Sequence, residues 1–490
     1  MLNRHEILAV DIGSSSIKAS IVFDDLQVGA AWSTPIWPKT PIPNFVEYDG
    51  KEFIESAKAV ISKGLTHSNS IDAISIANQR ATTAVWRRST GQCVGPILSW
   101  MDLRTAPLCI ALAQNGLPIA PNQSVTKAAY LFSLVDPAEH DDLCFGTLDS
   151  YLIWHLTNGK SFVTDHTNAA MTGFIQETDL SWSTKVLANV GINLECLPKM
   201  LPSASHLGDA TIDARTLPIL GTIGDQQASL IGQSGFKPGD TKITFGTGTM
   251  LDQNQGKTPP PTTRRLENGT FPVVAYTHMD QVNWASEAIA LGSGSIINWL
   301  VSTGIIKSLE DANNFDKNFR DTSRTYVVPA SAGFGTPEWD FGARTSIQGL
   351  TLSTDRTALL AATLDGIAQI AADLVQATEK DTNLPINDLR VDGGMTLNEN
   401  FLALVANATG LTLNISPMRE STTLGSAILA LSQLNEVAIE DYSHQLQRGS
   451  VMLRPQIERE SKEWIDRRER WKESKAKSLR SVPELSDVSF

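Results

Sequence analysis

The chain has 490 residues, with 40 Lys and Arg against 53 Asp and Glu, a formal net charge of −13. A chain of that length divides more readily into two domains than it fills one core. The acidic balance argues against nonspecific binding to nucleic acid or to an anionic membrane, but not against phosphate bound through backbone amides. The start, MLNRHEILAVDIG, lacks the long apolar core of a signal peptide, and no apolar run reads as long enough for a bilayer span. Cys93, Cys109, Cys144 and Cys196 show no CxxC or metal-ligand spacing, and the histidines show no paired spacing. These features predict a cytoplasmic protein with reduced cysteines.

EILAVDIG (6–13) and IKASIVF (17–23) predict two strands joined by a Gly-Ser turn. EFIESAKAVISKGL (52–65) has the spacing of an amphipathic helix, with Asp49 placed to cap it. IDAISIAN (71–78) and TTAVWRR (82–88) predict further strands, the second closed by the turn STGQ. Helical patterns follow at LRTAPLCIALAQNG (103–116), SVTKAAYLFSLVD (124–136) and SYLIWHLT (150–157). FKPGD (236–240) is a turn cluster suited to a hinge.

A second alternating block follows. TKITFG and TMLDQNQ predict strands around the loop GTG, and ATLDGIAQIAADLVQATEK (362–380) predicts a helix. LRVDGG (389–394) is a strand ending in glycines, followed by helices at TLNENFLALVANATG (396–410) and STTLGSAILALSQL (421–434). Trp154 and Trp299, at helical spacing, read as core. From Arg454 the chain is charged and reads as a solvated helix, fraying into the mobile terminus SVPELSDVSF. LAVDIGSSSIKASIVF and TKITFGTGTMLDQNQ share one grammar: apolar strand, loop of Gly with Ser or Thr, second strand. Two related α/β domains facing a cleft, each offering a hairpin loop to one ligand, are the expectation.

Glycine lets backbone N–H groups approach an anion, and Ser or Thr hydroxyls add donors. Gly13, Ser14 and Ser15, with Lys18 close by, form one such loop; Asp11 ends the strand before it and suits Mg²⁺. Gly246, Thr247 and Gly248 form a second, and Gly393 and Gly394 a third. A plain hairpin turn explains any one of them; three at strand ends in both halves favour a nucleotide in the cleft. Neither GxxxxGK[ST] nor a strand-to-helix GxGxxG is present. LPILGTIGDQQASLIGQ runs through Gly221 and Gly224 into Asp225 and a helix. Asp225 reads as the helix N-cap, a role compatible with taking the proton of an attacking hydroxyl.

In chain order, AVDIGSSSIKAS, ANQRATTAVW, SWMDLRT, GTLDSYLIWHLT, TDHTNAAMTG, GDQQASLIGQ, FGTGT, VVPASAGFGTPEWD, VDGGMTLNENF and ESTTLGSAILA together resemble the FGGY carbohydrate kinases, most nearly the glycerol kinase branch. The resemblance covers about residue 6 to about residue 435. It implies an α/β fold of two actin-like, ribonuclease-H-like ATPase domains with a cleft between them, closing on ATP, Mg²⁺ and a polyol or sugar. The expected division is 1–235 for the N-terminal domain with the acceptor site, 236–435 for the C-terminal domain with the nucleotide site, and 436–490 for a charged tail. By position, Asp11 matches the metal-associated carboxylate. Ser14, Ser15, Lys18, Thr247, Gly294, Asn298, Gly394 and Asn398 match the nucleotide side. Asp225 matches the catalytic base, and Arg80, Trp100, Asp225 and Gln226 match acceptor contacts.

Departures gather in the acceptor pocket. Glycerol kinases carry Glu where this chain has Ala81, an aromatic residue where it has Asn122, and another where it has Met250. Losing such partners from a buried site costs about 1–3 kcal/mol each and leaves space. A four- or five-carbon polyol or a sugar, larger than glycerol, is therefore expected, with glycerol itself as the alternative. A different class of reading is an actin-like ATPase, or a sugar- and nucleotide-binding regulator without catalysis. The retained NQRATT, SWMD and GDQQ segments count against the first, and the retained Asp11 and Asp225 against the second. No nucleic-acid or membrane partner is expected, and nothing in the sequence opposes a homo-oligomer.

Overall fold

A computed structural model describes residues 4–175, 179–279, 281–313 and 325–486. The chain opens with β1 (Glu6–Ile12), β2 (Ser16–Phe23) and β3 (Val28–Pro35), an antiparallel meander. Helix α1 (Gly50–His67) follows, its N-terminus held by Asp49, whose carboxylate accepts from the amides of Lys51 and Glu52. Then β4 (Ile71–Asn78) lies parallel to β1, and β6 (Arg215–Gly224) parallel to β4, with β5 (Ala204–Ile212) antiparallel to β6. Helix α2 (Asp225–Gly232) leaves the end of β6.

The second half repeats this order. Here β7 (Thr241–Phe245), β8 (Thr249–Gly256) and β10 (Gln281–Ala290) form the antiparallel part, with β9 (Phe271–His278) beyond β10. Helix α3 (Gly294–Ser302) precedes the 27-residue α4 (Arg356–Thr382); β11 (Asp388–Asp392) then adds parallel to β7. After α5 (Glu399–Thr409), β12 (Thr412–Ile415) adds parallel to β11. Helix α6 (Ser421–Asn435), β13 (Val451–Leu453) and α7 (Lys462–Ala476) follow. The thirteen strands form one sheet in the order β13-β12-β11-β7-β8-β10-β9-β5-β6-β4-β1-β2-β3. Its halves meet between β5 and β9 through one register pair, Ala204 with His278. Two five-strand units of the same order, β3-β2-β1-β4-β6 and β10-β8-β7-β11-β12, thus stand end to end, the ribonuclease-H-like duplication that the family resemblance implies.

Both central strand sets are covered on two faces, so they read as apolar runs rather than alternating ones. Chain order and packing part company at α6, which follows the second set of strands yet lies against β1, β4, β6 and α2. Helix α4 corrects one expectation: its length and composition suffice to cross a membrane, but 89% of its most apolar window is buried inside the protein.

The tail is a second correction. It is not a solvated helix: β13 pairs with β12, and α7 turns Trp464, Arg468, Trp471 and Lys475 inward at helical spacing. Trp471 and Lys475 donate to one oxygen of buried Asp373 at 2.8 and 2.7 Å, and Arg468 pairs with the other. Within SVPELSDVSF, Ser486 donates to Asp340 at 2.6 Å, while 487–490 lie outside the described residues. Trp299 is a third: it is 44% exposed on α3, whereas Trp154 packs against the first core as expected.

Candidate active site

The site forms where the strand ends of both halves face each other. In the first hairpin Asp11 is directly across from Lys18, and the amide of Gly13 donates to the carbonyl of Ser16 at 3.0 Å, closing the turn. The Tyr48 hydroxyl steadies this loop by donating to the Ser14 carbonyl at 2.8 Å. Gln79 joins it to the next strand end: its amide donates to the Ile12 carbonyl at 2.8 Å, and its side chain to that of Gly13 at 3.3 Å. Ser15 and Thr247 are exposed at the tips of their loops.

The second loop is braced by α3. Amides of Gly294 and Ser293 donate to the carbonyls of Gly246 and Thr247 at 2.9 and 3.0 Å. A Cβ at Gly294 would stand 2.4 Å from the Gly246 oxygen, so only glycine allows this approach. Gly393, at φ +92°, passes equally close to Phe245, bringing the third loop beside the second; at Gly394 an added Cβ would meet open space. Asn298 is exposed on α3. Asn398 is otherwise engaged: it caps α5 by accepting from Phe401 and donates to the Ala312 carbonyl at 2.9 Å. These two bonds use one acceptor site and one donor of its side-chain amide, which keeps a second of each.

Asp225 sits at the junction. It is the first residue of α2, not its N-cap; Gly224 holds that position. Its carboxylate accepts from the Gln226 amide at 2.9 Å and stands 3.5 Å from Nε of Arg80. Arg80 can come so near because Gly224 has no side chain: a Cβ there would lie 2.8 Å from the Arg80 Cγ and Cδ. Burial pushes the Asp225 carboxyl up, against the pull of Arg80 and Lys242. Asp11, with Asp225 and Glu420 as further negative neighbours, is pushed up to about 7 by burial above all, Lys18 opposing. Lys18 reaches across to Glu420, just before α6, at 2.5 Å.

The expected acceptor residues divide. Arg80, Asp225 and Gln226 are together, Gln226 accepting from Lys242 at 2.7 Å. Ala81 is buried at φ +58°, in one apolar cluster with Met171, against which Trp100 packs. Its carbonyl accepts from Ser124, tying it to the turn that carries Asn122. Met250 is half-buried on β8, opposite Ile289. A cavity of about 700 Å³ opens elsewhere, between the start of α1 and the 90–96 loop, and holds none of the expected site residues.

Four charged residues escaped the sequence reading: Lys242, Asp252, Glu287 and Glu420. Their signal was present, since Asp252 and Glu287 interrupt otherwise buried strands where an unpaired charge is costly. Lys242 and Asp252 pair across one hairpin, while the partners of Glu287 and Glu420, Arg80 and Lys18, lie far away in the chain, which no local pattern reports.

Asp11 fits a hard cation. Its carboxylate is drawn inward with two other carboxylates near, and no described residue donates a hydrogen bond to it. No cluster of three or more metal-ligating side chains occurs among the described residues, so a cation here would need ligand oxygens from its substrate.

Glycine loops from both halves, with the half-buried Asp225 carboxylate between them, make this a two-lobed phosphotransferase with an alcohol acceptor. Residues 6–232 match the N-terminal domain, and residues 241–434 the C-terminal domain, of the FGGY family of carbohydrate kinases, and the chain belongs to that family. It is 34% identical to a glycerol kinase of Halorhodospira halophila over 451 residues, 88% of each chain. A glycerol kinase of Petrotoga mobilis is likewise 34% identical, over 86% of this chain and 89% of that one. Plasmodium falciparum glycerol kinase, solved with ADP, superposes with a TM-score of 0.89 at 25% identity, covering 97% of this chain and 98% of the other. A xylulose kinase of Lactobacillus acidophilus shares the fold, with a TM-score of 0.82 at 18% identity over 96% and 97% of the two chains. Kinases of this family use ATP, generally with Mg²⁺.

Proposed function

We propose that this kinase phosphorylates a hydroxyl of a polyol or sugar larger than glycerol, with Asp225 as the general base. The observation that carries the reading is the Arg80–Asp225–Gln226 group at the junction of the halves; the larger acceptor is argued from Ala81 and Met250, which stand where the resemblance puts larger side chains. Asp225 accepts the proton of the acceptor hydroxyl as its oxygen bonds to the γ-phosphorus and the bond to the ADP oxygen breaks. Burial, which raises its basicity, suits that task near neutral pH. Arg80 and Gln226 orient the acceptor, with Trp100 and Asn122 as further contacts.

The loops at 13–15, 246–248 and 393–394, with Lys18, hold the nucleotide phosphates through amides, hydroxyls and one charge. Gly294 supports them by bracing the 246–248 loop. Asp11 would hold Mg²⁺, which when bound offsets charge on the transferring phosphate. We place the division between the two domains at about residue 235, and the protein in the cytoplasm.

ADP release measured with Mg-ATP across three- to six-carbon polyols and sugars tests the proposal, with Asp225→Asn alongside. Transfer to a four- or five-carbon acceptor, poor use of glycerol and an inactive Asn variant are expected. Glycerol as the best acceptor would sink the pocket argument; no acceptor-dependent release would sink the assignment of a polyol or sugar acceptor.

A further inference from the structure

Two cations face Asp225, and each is gripped by a buried carboxylate of the second half. Arg80 Nη1 lies 2.7 Å from Oε2 of Glu287, while its Nε is 3.5 Å from Asp225. Lys242 Nζ lies 2.8 Å from Oδ2 of Asp252. Asp252 and Glu287 are directly opposed on β8 and β10, and neither is more than 1% exposed. The network therefore runs from the loop after β4, through three neighbouring strands of the other half, to Gln226 beside the base. Burying so many charges is costly, and a core serving packing alone would be apolar here.

Resting on the reading of Asp225 as base and Arg80 as acceptor contact, we propose that Glu287, supported by Asp252, is a positioning residue that holds the Arg80 guanidinium off Asp225 and so keeps the base available. The two distances carry the inference, since Glu287 is the nearer anion by a wide margin. With the Glu287 charge removed, Asp225 becomes the strongest partner left to Arg80. A close Arg80–Asp225 pair would lower the basicity of Asp225 and occupy the oxygen that must receive the proton. Asp252 does the same through its ion pair with Lys242, whose hydrogen-bond partners are Gln226 and Thr244.

The charged groups facing Glu287 are Arg80 from the first half and Asp252 from β8, with Lys242 on β7 and Asp225 on α2 beyond them. Burial, opposed by Arg80 and reinforced by Asp252, pushes the Glu287 carboxyl up to about 7. Its hold on Arg80 therefore strengthens as pH rises through neutrality.

The test is the pH dependence of kcat and KM from about pH 5.5 to about pH 9 for the wild type, Glu287→Gln, Glu287→Asp and Asp252→Asn, using the best acceptor of the panel. Glu287→Gln is expected to lower kcat about tenfold at pH 8, leave KM for Mg-ATP within about twofold, and move the acid limb to lower pH. Glu287→Asp should restore part of the rate, and Asp252→Asn should shift the limb the same way by less. A folded Glu287→Gln protein whose limb stays where the wild type's lies overturns the proposal, whether or not its rate falls. If Glu287→Gln does not fold, Asp252→Asn decides by the same limb. Asp225→Asn separates the two ideas: if it still transfers phosphate the base assignment fails, and if it is inactive while Glu287→Gln matches wild type only this inference fails.

Discussion

Gly425 of α6 lies against the carbonyl of Ala228 of α2 so closely that a Cβ at 425 would stand 1.8 Å from that oxygen. The contact is reciprocal: a Cβ at Gly232 would stand 2.0 Å from the carbonyl oxygen of Ser421. Backbone therefore packs on backbone where the first half's helix meets the helix that follows the second half's strands. Asp225 is one turn before Ala228, so its placement depends on this approach.

Gly425→Ala should force the helices apart. Overpacking of this kind costs about 1–3 kcal/mol, and the displaced Asp225 should lower kcat more than it raises either KM. Thermal melting together with steady-state kinetics checks this. A variant with unchanged melting and unchanged kcat would show that the two helices yield without cost.

Asp11 carries a stability penalty that serves the ligand. Its folded pKa, about 7 against an ordinary 3.8, lies above the unfolded value. From about pH 4 upward the unfolded chain gives up this proton first, so the group increasingly disfavours the apo fold until about pH 7. At about 1.4 kcal/mol per unit the penalty is at most about 4 kcal/mol. Asp11→Asn should therefore melt higher than wild type in the absence of ligands, by a margin that grows between about pH 4 and pH 7 and then levels, while its activity is lost. Equal melting at pH 5 and pH 8 would refute this.

The C-terminal segment should prove structural. Asp373 is buried, which alone would raise its carboxyl; Lys475 and Arg468 outweigh that, with hydrogen bonds including that of Trp471, and hold it below the ordinary value. Its contribution is present above the unfolded value near 3.8 and fades as pH falls through the lower folded value. Asp373→Ala leaves two buried cations short of a partner and should cost about 3–5 kcal/mol at pH 7. Denaturant unfolding at pH 7 and pH 3 measures both claims, the gap between variant and wild type narrowing at the lower pH.

What was readable in the sequence followed the range of the interactions. The strands, the glycine loops and the two-hairpin repeat are set by neighbours in the chain, and they appear where the local pattern places them. Asp225 was found because Gly-Asp stands at a strand-to-helix junction; its partner Arg80 required the resemblance. Glu287 and Asp252 interrupt buried strands, but only the folded sheet sets them opposite each other and beside Arg80. The tail is rich in charge, and its helical phase, not its charge content, decides which face is buried. Trp464, Arg468, Trp471 and Lys475 fall on one stripe, and both charged ones find their partner, Asp373, on α4, 95 and 102 residues earlier.

The acceptor pocket offers the sharpest test of the functional reading. Ala81 already adopts the left-handed backbone conformation, so Glu at 81 meets no backbone strain beyond what Ala bears. A carboxylate there, next to Arg80, restores a hydrogen-bond acceptor for a small polyol and fills part of the space a larger one would use. One such hydrogen bond in a buried site is worth about 1–3 kcal/mol, which is about fivefold or more in relative kcat/KM. Ala81→Glu should therefore shift the ratio of kcat/KM for glycerol over the best larger acceptor toward glycerol by at least about fivefold, and Met250→Phe should move it the same way. Should the ratio stay fixed or move toward the larger acceptor in both variants, residues other than Ala81 and Met250 set the size of the acceptor.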